Sequence, residues 1–147
     1  MTELHFETTI NRPIEAVFNL IADLPHYDQW LTPSNLYASM TQYSRLPIER
    51  GTTYVDGGKY SRMEGRITEF ESPKRVHFRQ ANVSIMGALD IEICYALESI
   101  GGGTHLTRDV TVRPTGMYKL LQGYLVNSIR KENERILAVM KAHLEKT

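Results

Sequence analysis

A single amphipathic stretch at the end of the chain, residues 115–146, limits what everything before it can be. It reads as one helix of about 30 residues, ~45 Å long at 1.5 Å per residue. Pro114 marks its expected start, where a missing amide proton is harmless, and no proline follows. At 100° per residue Tyr118, Leu121, Leu125, Ile129, Ile136 and Val139 share one face, with Lys119, Asn127, Arg130, Glu134, Lys141 and Glu145 opposite. Two short helices cannot bury a stripe of that length. It needs a large curved partner, and nearly everything from Ser34 to Arg113 reads as strand.

The strands are legible as changes of period. Leu4, Phe6, Thr8 and Ile10 alternate with polar neighbours and predict a half-buried first strand. Pro13 then opens a helix carrying Ile14, Val17, Phe18 and Ile21, and Pro25 breaks it before a second short helix or turn at His26–Trp30. From Ser34 the period becomes two, with Leu36, Ala38 and Met40 on one side. Thr52–Val55 is a short strand ended by a turn at Asp56-Gly57-Gly58, and Tyr60–Phe70 is another, with Gly65 as an expected bulge. Ser72-Pro73-Lys74 turns the chain into residues 75–83. Leu89, Ile91, Ile93, Tyr95 and Leu97 form the clearest alternation, and a triple glycine at 101–103 connects it to Leu106, Arg108, Val110 and Val112. Short connections make the whole an antiparallel meander. The expected fold is α+β: a curved antiparallel sheet of about six or seven strands gripping a long C-terminal helix, with two short helices after the first strand. No repeat, linker or low-complexity segment divides the 147 residues, so one domain over 1–147 is expected.

Composition excludes several classes of function. Lys+Arg and Asp+Glu are 17 each, so no net field draws the chain to nucleic acid or anionic lipid. The lone Cys94 forbids an internal disulfide and fits a reducing compartment. The N-terminus lacks the basic start and apolar run of a signal peptide, and no apolar run is long enough to span a bilayer. A cytoplasmic protein without membrane insertion is expected.

In order and spacing the chain resembles the START-like superfamily, in its polyketide cyclase/dehydrase-like (SRPBCC) helix-grip branch. The residues that carry the resemblance are INRPIEAVFNLIADLPHYDQW, GRITEFESPKRVHFR and YALESIGGGTHLTRDVTV, together with the closing helix. The resemblance spans nearly the full length, and no single motif in it is catalytic. It implies a deep apolar cavity between the sheet and the last helix, of the kind that holds lipids, sterols or polyketides. Only some members are enzymes, and fold does not choose among them.

Arg108 is the sharpest anomaly, a cation on the strand face of Leu106, Val110 and Val112. A buried guanidinium needs a partner. Glu132, inside the helix's apolar stripe, is one candidate; the alternative is that each sits at a wet end of its element. Tyr95 shares the inward face, and Tyr118 and Tyr124 lie near the helix start, where a cavity mouth is expected. Met40, Met63, Met86 and Met117 are candidate pliable wall or plain core filler. Gly123 either permits a kink or close packing in the helix or marks surface tolerance. The ligand-contacting set is therefore Met40, Met63, Ile91, Ile93, Tyr95, Arg108, Tyr118, Leu121, Tyr124, Leu125 and Glu132, with Arg108, Glu132 and Tyr95 as candidates for any catalysis. His5, His26, His77, His105 and His143 share no ligand spacing, so neither a metal nor another cofactor is expected. Cys94, on the outer face with Asp90 and Glu92, reads as a packed or idle thiol.

Two functions fit. One is binding or carriage of a small apolar molecule, a lipid, polyketide or similar, by a monomer or weak homodimer. The other is a cyclase/dehydrase-type enzyme that folds a polyketide-like chain into a reactive geometry, with Arg108 polarising a carbonyl. A chaperone-type docking module is disfavoured by the charged outer sheet face.

Overall fold

The structure, a computed structural model, describes residues 1–58, 62–85 and 87–146. The expected start of a strand at Tyr60 and the candidate wall residue Met86 lie outside those residues. Among the described residues seven strands form one antiparallel sheet in the order β1-β7-β6-β5-β4-β3-β2. They are β1 (Thr2–Ile10), β2 (Ser39–Thr41), β3 (Thr53–Gly57), β4 (Arg62–Glu71), β5 (Arg75–Ser84), β6 (Gly87–Ile100) and β7 (Gly103–Pro114). Helix α1 (Ile14–Ala22) and a 3-10 helix (Leu24–Gln29) follow β1; α2 (Met117–Leu120) and α3 (Gln122–Glu145) end the chain. This is the helix-grip α+β architecture.

Alternation built the sheet. Leu4, Phe6 and Ile10 of β1 are buried, as are Leu106, Arg108, Val110 and Val112 of β7, and the register sets Leu4 against Val110 and Phe6 against Arg108. On α1, Val17, Phe18 and Ile21 are buried, and the Phe18 ring meets Phe70 edge-on at 5.4 Å. Tyr27 and Trp30 pack edge-on at 5.1 Å and close one end of the bowl beside Leu31.

Four sequence expectations are corrected. The last helix does not run unbroken from residue 115. Pro114 ends β7, paired with Leu89, and Gly116 takes a positive φ of 62° to turn the chain into α2. Leu121, at φ −95° and ψ 14°, separates α2 from α3. The 24 residues of α3 make a helix of ~36 Å. Its buried line is Ile129, Asn133, Leu137, Met140 and Leu144, while Leu121 is 51% exposed. Of the projected stripe only Ile129 is buried, and Leu121, at the break, is exposed.

The strand expected from Ser34 forms only at Ser39–Thr41. Asp56 and Gly57 belong to β3, not to a turn: Asp56 pairs with Met40 on one side and Met63 on the other. Gly65 is no bulge. It sits in regular register between Tyr54 and Gln80, and the irregularity lies at Thr68, between Ile67 and Glu69. Glycine is needed because the Tyr54 ring lies flat over it: a Cβ there would meet the ring carbon Cζ at 2.3 Å.

Candidate functional site

The concave face of the sheet and α3 do not close on one another. Between them lies a cavity of about 140 Å³, walled by Met40, Met63, Phe78, Leu89, Ile91, Ile93, Val110, Leu125, Ile129 and Ile136, with Tyr27, Leu31 and Tyr37 at one side. An outer chamber of about 540 Å³ adjoins it, bounded by Ser34, Asn35, Asn82, Tyr118, Tyr124, Lys131 and Arg135. Leu36, Met63, Leu89, Leu125, Ser128 and Glu132 line both. An apolar cavity near 150 Å³ is enough to admit a benzene-sized body. The inner chamber therefore accepts about one ring, and the outer one accepts whatever is attached to it.

Arg108 stands in the inner wall, 6% exposed. Its Nε donates to Asn133 Oδ1 at 2.6 Å, and its Nη1 donates to the Tyr95 hydroxyl. The guanidinium carbon is 5.0 Å from the centre of the Tyr95 ring. Asn133 is aimed by its own Nδ2, which donates to Ile129 O at 2.7 Å. Both partners of the cation are neutral, and no carboxylate among the described residues lies within ion-pair distance of it. Hydrogen bonds from a charged donor are worth ~1.5–3 kcal/mol each, which offsets part of the cost of burying it.

The Arg108–Glu132 pair expected as one possibility does not form. Glu132 faces the same cavity but accepts from Ser34 Oγ at 2.6 Å and from Arg135 Nε at 2.7 Å. Burial works to raise its carboxyl pKa, but the hydrogen bonds from Arg135 and Ser34 and the charges of Arg135 and Arg108 outweigh that and hold it below the usual range. Neither residue is at a wet end: Arg135 sits one turn further along α3 and simply reaches Glu132 first.

Met40, Met63, Ile91, Ile93, Tyr95, Arg108, Leu125 and Glu132 face the inner cavity, and Tyr118 and Tyr124 the outer one. Leu121 faces neither, because the break between α2 and α3 turns it outward. Met117 is 42% exposed and also outside both. At Gly123 an added Cβ would meet nothing within 4 Å, so close packing is not its reason.

Several polar wall residues escaped the sequence reading, Tyr54, Ser128, Asn133, Gln80 and Asp56 among them. Asn133 could have been found as an amide centred in an apolar helix face, four residues from Ile129 and four from Leu137. Gln80 and Asp56 are joined, Gln80 Nε2 donating to Asp56 Oδ2 at 2.8 Å. Asp56 was hidden by the Asp-Gly-Gly turn signal, although Thr52, Tyr54 and Asp56 keep the alternation of a strand. Burial pushes its carboxyl from 3.8 up to about 7, against the pull of Arg108 and with a small push from Glu132.

The outer sheet face behaves as charged surface. Arg79 pairs with Asp90 at 2.7 Å and Arg113 with Glu92 at 3.2 Å. Cys94 lies opposite His77 in the register, yet burial pushes its thiol up to about 11, away from nucleophilic use. Among the described residues no group of three or more His, Cys, Asp or Glu is placed to hold a metal ion, and no helix is long and apolar enough to cross a membrane.

A bent antiparallel sheet closed by a long helix over an apolar hollow defines a helix-grip protein. The chain belongs to the family described as polyketide cyclase / dehydrase and lipid transport, whose model matches residues 1–145. No curated protein matches the chain. Among solved structures it is similar to the hypothetical protein jhp0584 from Helicobacter pylori, at TM-score 0.81 and 14% identity, over 97% of this chain and 88% of that one. It is similar also to the di-domain ARO/CYC BexL from the BE-7585A biosynthetic pathway, at TM-score 0.74 and 15% identity. That likeness covers 99% of this chain and 47% of BexL, so the chain spans about half of it. A third is the Aha1 dimer from Colwellia psychrerythraea, at TM-score 0.69 and 15% identity, over 99% of this chain and 97% of that one. At these identities the likeness is one of fold.

Proposed function

We propose that the protein binds and carries a small, largely apolar molecule in the cavity between the sheet and α3. The observation that carries this reading is the cavity itself: an apolar chamber roomy enough for one ring, sharing wall residues with an outer chamber rimmed by Tyr118 and Tyr124. Burial of the guest's hydrocarbon supplies the affinity at ~25 cal/mol per Å². Arg108, held in place by Tyr95 and Asn133, orients one polar atom of the guest. The family, which includes lipid transport by its description, supports the same reading. Carriage in the cytoplasm by a monomer or weak homodimer is the form we favour.

A second reading, a cyclase/dehydrase-type enzyme, is favoured by one observation. Arg108 Nη2 has no partner among the described residues, so an N–H remains to polarise a carbonyl in the cavity. Native mass spectrometry of the purified protein tests binding. An adduct released by organic extraction is the expected result. A bare mass, together with no fluorescence gain from 1-anilinonaphthalene-8-sulfonate, would sink both readings.

A further inference from the structure

Two oxygens in the β3 wall of the cavity are shielded from solvent and have no hydrogen-bond partner among the described residues: Tyr54 Oη and Asp56 Oδ1. Both residues line the inner chamber, two positions apart on one strand face. An unmade hydrogen bond on a buried group costs ~1–3 kcal/mol. Two such groups on one strand in the wall of an apolar hollow are what the polar end of a guest would satisfy.

We propose that Tyr54 and Asp56 are the recognition pole for a hydroxyl, and that the guest is an alcohol or phenol with a hydrocarbon body. The hydroxyl oxygen accepts from Tyr54 Oη–H while its proton goes to Asp56 Oδ1. This rests on the cavity-binding reading above and narrows it. A hydroxyl satisfies both oxygens whether or not Asp56 holds its proton; a ketone does so only while Asp56 is protonated, and a hydrocarbon satisfies neither. Gln80 holds the other carboxylate oxygen and so fixes the direction of Oδ1. The Tyr54 ring is fixed by Gly65 beneath it and by Phe78, edge-on at 6.1 Å. The charged groups that face Asp56 are Arg108 from β7 and Glu132 from α3, and Tyr37 lies near it in the loop before β2. With its carboxyl titrating near neutrality, Asp56 serves as acceptor or donor to the same hydroxyl.

The test is calorimetric binding of 1-naphthol and naphthalene at pH 7, a pair that differs by one hydroxyl. The wild-type chain is expected to prefer 1-naphthol by about fivefold or more, the worth of one net hydrogen bond. Y54F and D56N are each expected to reduce that preference, Y54F by removing the donor to the hydroxyl oxygen and D56N by removing the acceptor of its proton; Y54F serves if D56N does not fold. Equal affinity of the wild-type chain for the two probes overturns this proposal and leaves the cavity reading standing. A preference that survives undiminished in Y54F and D56N also overturns it. Failure of both probes to bind removes the cavity reading, and this proposal with it.

Discussion

Replacing Asp56 by asparagine isolates a wall carboxyl whose charge the fold opposes. In the unfolded chain its carboxyl ionises near 3.8, and in the fold near 7. That is just over three tenfold steps of proton affinity at ~1.4 kcal/mol each, so ionised Asp56 costs the fold up to about 4 kcal/mol. The sign follows from which state holds the proton. Between pH 4 and 7 the unfolded chain has released it and the folded chain keeps it. The stability tied to this group is therefore whole below pH 4, falls as pH rises, and is lost above about pH 7. Asparagine has no such proton, and its amide still offers an oxygen to Gln80. Urea unfolding of both proteins at pH 4.5, 6 and 8 reads the difference, with Glu132 and Arg108 common to each. D56N should be close to wild type at pH 4.5 and gain on it steadily, ending more stable at pH 8. A difference that does not change with pH, or one that grows in favour of wild type, would refute the assignment of a buried, displaced carboxyl at this position.

Gly65→Ala should destabilise the protein by ~1–3 kcal/mol in the same assay, because the new Cβ occupies the place of the Tyr54 ring; a neutral result would mean the ring is not seated there. Arg108→Met and Asn133→Leu should be strongly non-additive, with a coupling of ~0.5–3 kcal/mol, whereas Arg108→Met and Glu132→Gln should add to within ~0.5 kcal/mol, since only the first pair touches. Leu137→Ala, 7% exposed at the contact of α3 with the sheet, should cost ~2–5 kcal/mol by urea unfolding. Cys94 should react with iodoacetamide far more slowly at pH 8 than a free thiol, and the rate should still be climbing at pH 10, because its thiol ionises near 11.

Period and punctuation in the chain were enough for the architecture. Alternation of apolar and polar residues put Leu4, Phe6, Tyr95 and Val110 on one sheet face, and the 3.6-residue rhythm from Leu125 to Leu144 made a helix that only a curved sheet could cover. Those are local properties: each residue's side of its element depends on its own spacing. The inward place of Arg108 and Tyr95 followed from the same rule. Which partners the polar groups chose did not, because that depends on distances between elements far apart in the chain. Arg108 reached Asn133 across 25 positions, and Glu132 was already held by Ser34 and Arg135. The break at Leu121 and the seat of Tyr54 on Gly65 were likewise decided by contacts. Asp56 shows the limit most clearly. By local chemistry Asp-Gly-Gly is a turn, yet pairing with Met40 and Met63 carried it one step further along the strand and into the cavity wall. Spacing along the chain decides which face a side chain takes, and only the folded neighbours decide what it meets there.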